Sequence, residues 1–186
     1  SSDLATLTGG SYTATDLNDV ITGSGVADTI NLKAGNDWVE GMGGSDTIVG
    51  GLGADTFVYR NASDSNYLTM DRIMDFTPVG QGDRIAVKTM PAKLWNAGTV
   101  TGTSATTVMS NALTSVSTPA DAKAAGSAVM VTMGTTGTYL IVSDGVSGLG
   151  AGDIAIQLNV LPKSTDSTNP FNVSGYLNPS SVFAVI

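Results

Sequence analysis

The sequence predicts an all-β chain: a right-handed parallel β-roll, a form of β-helix, that continues into a β-sandwich-like C-terminal part with one or two short helices. Three observations predict it. From Ala14 a nine-residue phrase recurs five times without losing phase. Within each phrase a Gly-rich polar stretch precedes a β-branched or aromatic one, so loop and strand alternate. Beyond Met90 the phrase is lost, but apolar strand-like runs continue to the end of the chain.

The reading divides the chain into a lead-in strand at 1–13, the repeats at 14–58, a capping segment at 59–89 and a β-rich C-terminal part at 90–186. The repeats are ATDLNDVIT, GSGVADTIN, LKAGNDWVE, GMGGSDTIV and GGLGADTFV. The sixth position is always Asp (Asp19, Asp28, Asp37, Asp46, Asp55), and the eighth is always apolar (Ile21, Ile30, Val39, Ile48, Phe57). Two units make one 18-residue coil with a strand on each side. Coils stacked about 4.8 Å apart bring each unit beside the next but one, with the eighth-position side chains in an inner apolar column and the Asp residues along both edges.

Stacked carboxylates about 5 Å apart repel by roughly 3 kcal/mol at an effective dielectric near 20, so a cation is required between them. Facing loops offer a carboxylate from each side and backbone carbonyls that glycine allows to turn inward. An all-oxygen cage of about six ligands suits Ca²⁺ better than Mg²⁺ or a softer metal. The pairing of alternate units gives three candidate sites: loops 14–19 with 32–37, 23–28 with 41–46, and 32–37 with 50–55. The residues assigned to them are Asp19, Gly23, Gly25, Asp28, Gly35, Asp37, Gly41, Gly43, Gly44, Asp46, Gly50, Gly51, Gly53 and Asp55. The last two sites have the better loops.

The phrase GGLGADTFV fits the pattern G-G-x-G-x-D-x-U-x, U being apolar, at every defined position, and GMGGSDTIV departs only at Met42. The chain thereby resembles the RTX nonapeptide-repeat calcium-binding C-terminal domains of serralysin-type proteases, alginate epimerase R-modules and other type I-secreted proteins. The resemblance extends through Ala62–Ser65, Asp71–Phe76 and Gly82–Ile85, which stand in the order of that family's post-repeat block. Asp64 keeps the nine-residue phase from Asp55, and Asp71 follows after a variable turn; both are candidate ligands for the 41–46 cage. Asp75 and Asp83 are expected to cap turns, with Ile73, Phe76 and Ile85 sealing the apolar column.

In the C-terminal part, SATTVMSNALTSV has helical spacing, and TPADAKAAG opens with Thr118 as N-cap and Pro119 at the first helical position. SAVMVTM, GTYLIVSDG and GDIAIQLNVL read as strands, the last two as a hairpin. Asp144 and Asp153 are nine residues apart but lack the loop motif, which favours a plain turn. The tail NPSSVFAVI fits either a terminal edge strand or the apolar end of an uncleaved type I export signal.

Composition excludes much else. The net charge is −8, with sixteen acidic residues of which Glu40 is the one glutamate, and no basic stripe exists to neutralise nucleic-acid phosphates. There is no Cys and no His, which removes disulfides, thiolate and imidazole chemistry and ordinary zinc sites. The Asp residues are committed to the repeat and no Ser/Lys dyad is spaced for catalysis, so the chain is read as non-catalytic. No run is long and apolar enough to span a bilayer.

The resemblance implies a bacterial protein that is secreted or held at the cell surface. It would bind about two to four structural Ca²⁺ ions, fold on meeting calcium outside the cell and support export of a larger extracellular protein by a type I ABC transporter. Two alternatives stand beside this: a calcium-dependent surface-layer or anchoring module that self-associates or binds cell-surface glycan, and a polysaccharide-binding module attached to a secreted enzyme.

Overall fold

The computed structural model describes residues 3–78, 80–100, 102–114, 126–133, 137–146, 148–159, 175–177 and 179–186. The first nine strands alternate between two sheets: β1 (Leu4–Thr6), β2 (Gly10–Thr13), β3 (Val20–Ser24), β4 (Asp28–Asn31), β5 (Trp38–Met42), β6 (Thr47–Val49), β7 (Thr56–Tyr59), β8 (Asp71–Ile73) and β9 (Arg84–Val87). Odd strands pair in parallel with odd and even with even. Within the repeats the register advances 18 residues per coil, as Ile21↔Val39, Ile30↔Ile48 and Val39↔Phe57 show. Two strands form in the 1–13 stretch, where one was expected, and they add a coil below the repeat, with Tyr12 opposite Ile30.

The eighth-position residues do point inward. Ile21, Ile30, Val39, Ile48 and Phe57 are at most 1% exposed, and Ile73 and Ile85 continue the column. Phe76 closes it, its ring edge-on to Phe57 at 6.0 Å. A single column of side chains spans the space between the sheets, so each coil owes its burial to the coils above and below it.

The rest of the chain is β10 (Lys93–Thr99), α1 (Ala105–Thr114), β11 (Ser127–Met133), β12 (Gly137–Val142), β13 (Ile154–Leu158), β14 (Gly175–Leu177) and β15 (Phe183–Val185). The three expected strands are present as β11, β12 and β13, with the expected β12–β13 hairpin antiparallel and β11 antiparallel to β12 as well. These strands extend the roll. β13 lies parallel to β8, so the even sheet runs β14-β10-β11-β12-β13-β8-β6-β4-β2, and β15 adds to β9 at the end of the odd sheet. The sandwich-like part therefore shares the roll's interior: Leu94, Ala128, Met130, Leu140, Ile156 and Phe183 belong to the same core cluster as Ile21 and Ile48.

Helix α1 covers the outer face of this extension, packing Val108, Met109, Ala112 and Leu113 on Val129, Val131, Tyr139 and Ile141. Ser104 caps it, accepting the Thr107 N–H at 3.2 Å. The second expected helix, at 118–126, lies outside the described residues apart from Gly126. Strand β10 was not anticipated, because Asn96 and Gly98 interrupt its alternation; the register shifts between Asn96 and Thr99, and Gly98 takes φ +71°.

Candidate metal centre

Each edge of the roll carries a ladder of Asp residues. On one edge the Asp19 N–H donates to Asp37 Oδ1 at 2.8 Å, Asp37 N–H to Asp55 Oδ1 at 3.0 Å and Asp55 N–H to Asp83 Oδ1 at 3.1 Å. On the other, Asp28 N–H donates to Asp46 Oδ1 at 2.8 Å and Asp46 N–H to Asp71 Oδ1 at 2.9 Å. Asp46 thus stacks on Asp28, and Asp55 on Asp37, never on each other. A backbone N–H satisfies one oxygen of each stacked carboxylate.

The other oxygen is left over. Asp28 Oδ1 and the Oδ2 atoms of Asp37, Asp46, Asp55 and Asp71 are buried with no hydrogen-bond partner. Burying a bare carboxylate oxygen is expensive, and the cost appears in the acidities. Burial, with the neighbouring carboxylate adding to it, pushes Asp46 up to about 6, Asp55 to about 7 and Asp71 to about 8. Asp37 is raised for the same reasons. The Asp19 end of the first ladder differs, whereas burial pushes Asp83 at the other end up to about 6. Asp19 is also buried, but bonds from the Asp3 N–H and from Thr15 hold its carboxyl below the usual value.

Loop backbones press close on these carboxylates. A Cβ on Gly51 would stand 1.7 Å from the Lys33 carbonyl oxygen, and one on Gly53 1.8 Å from that of Gly35, so both need glycine whatever their torsions. A Cβ on Gly41 would lie 2.4 Å from Asp46 Oδ2, and one on Gly50 2.5 Å from Asp55 Oδ2. Gly23 meets the Gly41 carbonyl, Gly35 that of Leu17, and Gly44 the Val26 peptide in the same way. Gly25 has open space, and Gly43 has only the Ser63 carbonyl near it at 3.5 Å. Loops 32–37, 41–46 and 50–55 share one conformation, with positive φ at the second and fourth positions (Lys33 and Gly35, Met42 and Gly44, Gly51 and Gly53). The unit LKAGNDWVE, weak as a motif, folds like the best ones because Lys33 adopts φ +69°.

The donor set is thus paired carboxylate oxygens backed by peptide carbonyls. No three acidic side chains cluster among the described residues, so a bound ion would rely on the carbonyls for most of its coordination. Hard oxygen donors of this kind fit Ca²⁺. Asp37 with Asp55, Asp28 with Asp46, and Asp46 with Asp71 are the pairs that could hold it.

Other expected ligands are placed differently. The Asp64 carboxylate accepts the N–H groups of Arg60 at 2.7 Å and Asn61 at 2.9 Å, so it closes its own turn. Asp75 caps Gly50 and Gly51 at 2.9 and 2.8 Å, and Asp83 caps Thr77 at 2.7 Å, as turn-capping roles require. Asp153 takes the Asp144 and Gly150 N–H groups, the geometry of a plain turn. Glu40 points outward but is covered by Arg60, which bonds it at 2.7 Å and lies 5.7 Å from the centre of the Trp38 ring.

Sequence reasoning missed a second ladder. Asn18 Oδ1 accepts the Asn36 N–H, and Asn36 Oδ1 the Ala54 N–H, both at 2.8 Å, beside the Asp19–Asp37–Asp55 edge. The signal was present: Asn recurs at the fifth position two units apart.

The family model of the RTX calcium-binding nonapeptide repeat, in four copies, matches residues 22–57, which run from just before the second unit to the eighth residue of the fifth. Among solved structures, the chain is similar to the solution structure of the AlgE6R3 subunit from the Azotobacter vinelandii mannuronan C5-epimerase. The identity is 27%, over 87% of this chain and 81% of that one, with a TM-score of 0.49. A search of curated proteins finds no match to this chain. The repeat segment is of the calcium-binding RTX kind, and no helix among the described residues is long and apolar enough to cross a membrane.

Proposed function

We propose that the chain is a non-catalytic module whose roll folds around calcium outside the cell and supports type I secretion of a larger extracellular protein. One observation carries this reading: five buried carboxylate oxygens lack partners, four of them in the repeat matched by a calcium-binding model and the fifth on Asp71, the next rung of the same edge. Where free calcium is scarce, those oxygens destabilise the roll, and a core one side chain wide offers little to offset them. In millimolar calcium the ions fill the cages and their binding energy becomes folding energy, about 2.7 kcal/mol per site at a hundredfold excess over Kd.

The ions are assigned to the 32–37/50–55 pair, the 23–28/41–46 pair and the site between Asp46 and Asp71. The 14–19/32–37 pair is the weakest, because Asp19 has its oxygens already bonded. The tail bears on export. Phe183 is 2% exposed, and β15 pairs with β9, so an export signal at 183–186 would be hidden once the roll had formed. A roll that stays open without calcium keeps that segment accessible to a transporter.

Far-ultraviolet circular dichroism after calcium removal tests the reading. Strand signal should be low, rise on adding Ca²⁺ and fail to rise on adding Mg²⁺. Equal signal in all three conditions would end it. The lattice alternative has one observation in its favour, since β1 ends the odd sheet with Leu4 86% exposed; sedimentation at high concentration with calcium would show a persistent monomer if it is wrong. The glycan alternative fares worse, because Tyr59 is buried and Arg60 is engaged by Glu40 and Trp38.

A further inference from the structure

The ladder on the 41–46 edge does not end on a carboxylate. The Asp71 N–H, which by the pattern of the earlier coils would meet the next Asp, donates to Ser65 Oγ at 2.9 Å. The Ser65 hydroxyl donates in turn to the Ala155 carbonyl at 2.5 Å, and the Ala155 N–H returns to the Ser65 carbonyl at 3.1 Å. Ser65 is 0% exposed. A hydroxyl can accept one bond and donate the other, whereas an ionised Asp at this place could only accept and would leave the Ala155 carbonyl unmet. The change from Asp to Ser is therefore what lets the ladder pass from the roll into the C-terminal sheet.

The neighbouring contacts run the same way. Strand β8 begins at Asp71, and β13 docks on it with Ile156 opposite Asp71. Tyr67 and Met70, in the turn between Ser65 and β8, pack against the cluster under α1. The inner faces of β11, β12 and β13 contribute Ala128, Met130, Leu140, Ile156 and Leu158 to the roll's own core. The opposite edge ends otherwise, on Asp83, whose two oxygens are taken by the Asp55 and Thr77 N–H groups within the capping segment.

We propose that Ser65 is a coupling residue: it ties the Asp46–Asp71 cation site to the C-terminal sheet, so that calcium on this edge orders β10–β13 and α1 together with the roll. The inference rests on the calcium reading above. Without an ion, Asp46 and Asp71 leave two buried oxygens unmet beside Gly41, β8 loses its anchor, and β13 loses the strand it docks on.

The two tryptophans make this testable in the full chain, since Trp38 lies on β5 in the roll and Trp95 on β10 in the extension. Trp38→Phe leaves Trp95 as reporter, and Trp95→Phe leaves Trp38. Calcium titrations should give coincident transitions from the two reporters, and removing calcium should expose the β13 amides to hydrogen exchange. Ser65→Ala should move the Trp95 transition to about tenfold more calcium than the Trp38 transition and deprotect β13 selectively, while Ser65→Thr, which keeps the hydroxyl, should leave them coincident. Trp95 emission and β13 protection that survive calcium removal while the roll's circular dichroism collapses would overturn the coupling and leave the calcium reading standing. So would a Ser65→Ala protein in which both reporters shift together or neither does. Circular dichroism that ignores calcium would instead overturn the calcium reading itself.

Discussion

The loops at 14–19 and 23–28 and the loops at 32–37, 41–46 and 50–55 follow one nine-residue phrase and end in the same Asp, yet they use that Asp differently. In the first pair the second residue is hydroxylated and its φ is not positive. The Thr15 N–H and hydroxyl bond Asp19 Oδ2 at 2.9 Å each, and those of Ser24 bond Asp28 Oδ2 at 2.8 and 2.9 Å. In the other three the second residue is Lys33, Met42 or Gly51, at φ +69°, +68° and +93°, with no hydroxyl to offer. Their carboxylates spend one oxygen on the preceding coil and keep the other free. The second residue thus decides whether a loop bonds its own Asp, and in the first pair Asp28 still keeps Oδ1 bare where Asp19 has both oxygens bonded.

The hardest way to break the contrast is to fill the space the open loops need. Gly51→Ala or Gly53→Ala, which would drive a Cβ into the Lys33 or Gly35 carbonyl, should cost about 3 kcal/mol in urea unfolding with calcium present. Gly25→Ala, in a closed loop with open space around it, should be close to neutral. Equal effects at the two places would mean that loop stacking does not govern stability.

Acid should stand in for calcium in the open loops. In the metal-free protein burial pushes Asp46, Asp55 and Asp71 up to about 6, 7 and 8, above the ordinary carboxylate value of 3.8. The folded state then binds more protons than the unfolded one, so this stability is complete below about pH 4 and is lost as pH rises through about 6 to 8. Circular dichroism of calcium-free protein should show strand signal growing as pH falls from about 8 to about 5; a flat profile would contradict the burial of these groups. The folded roll's apparent calcium affinity should weaken over the same descent, because protons compete for the oxygens.

Asp46→Asn and Asp55→Asn should have effects of opposite sign in the two states. Each removes about 2 kcal/mol of calcium-dependent stability but raises strand content without calcium, since a buried charge is gone. Asp19→Asn should show neither effect at that size. The smallest change is Thr15→Ala, expected to cost about 1 kcal/mol with or without calcium. A cost seen only with calcium would place an ion at Asp19.

Much of this was legible in the sequence because a nine-residue phase is a geometric statement: it sets which Asp stands over which, and which side chain enters the core. Ile21 over Val39 and Asp28 under Asp46 follow from counting alone. The count could not reveal that Lys33 and Met42 would take left-handed torsions that glycine usually supplies, nor that Asp64, though in phase, would close its own turn. Phase carries no information about local hydrogen-bond competition. Beyond Met90 the alternation of SAVMVTM and GTYLIVSDG was enough for strands, but their partner was not readable. The docking of β13 on β8 joins residues more than eighty apart, and no local pattern encodes it. Ser65 carries no such signal either, because a serine in a turn is ordinary until its two partners are known.

The ladders also give the stack a direction of growth. Asp19 finds its acceptor on Asp37, Asp37 on Asp55 and Asp55 on Asp83; in every case the carboxylate comes from later in the chain. A coil added at the N-terminal end meets an acceptor already in place, whereas a coil added at the C-terminal end must bring one for the coil beneath it and leaves its own Asp N–H unanswered. A stack built from the capped C-terminal end toward Leu4 would therefore find an acceptor waiting at every step, with the coil farthest from Ser65 closing last.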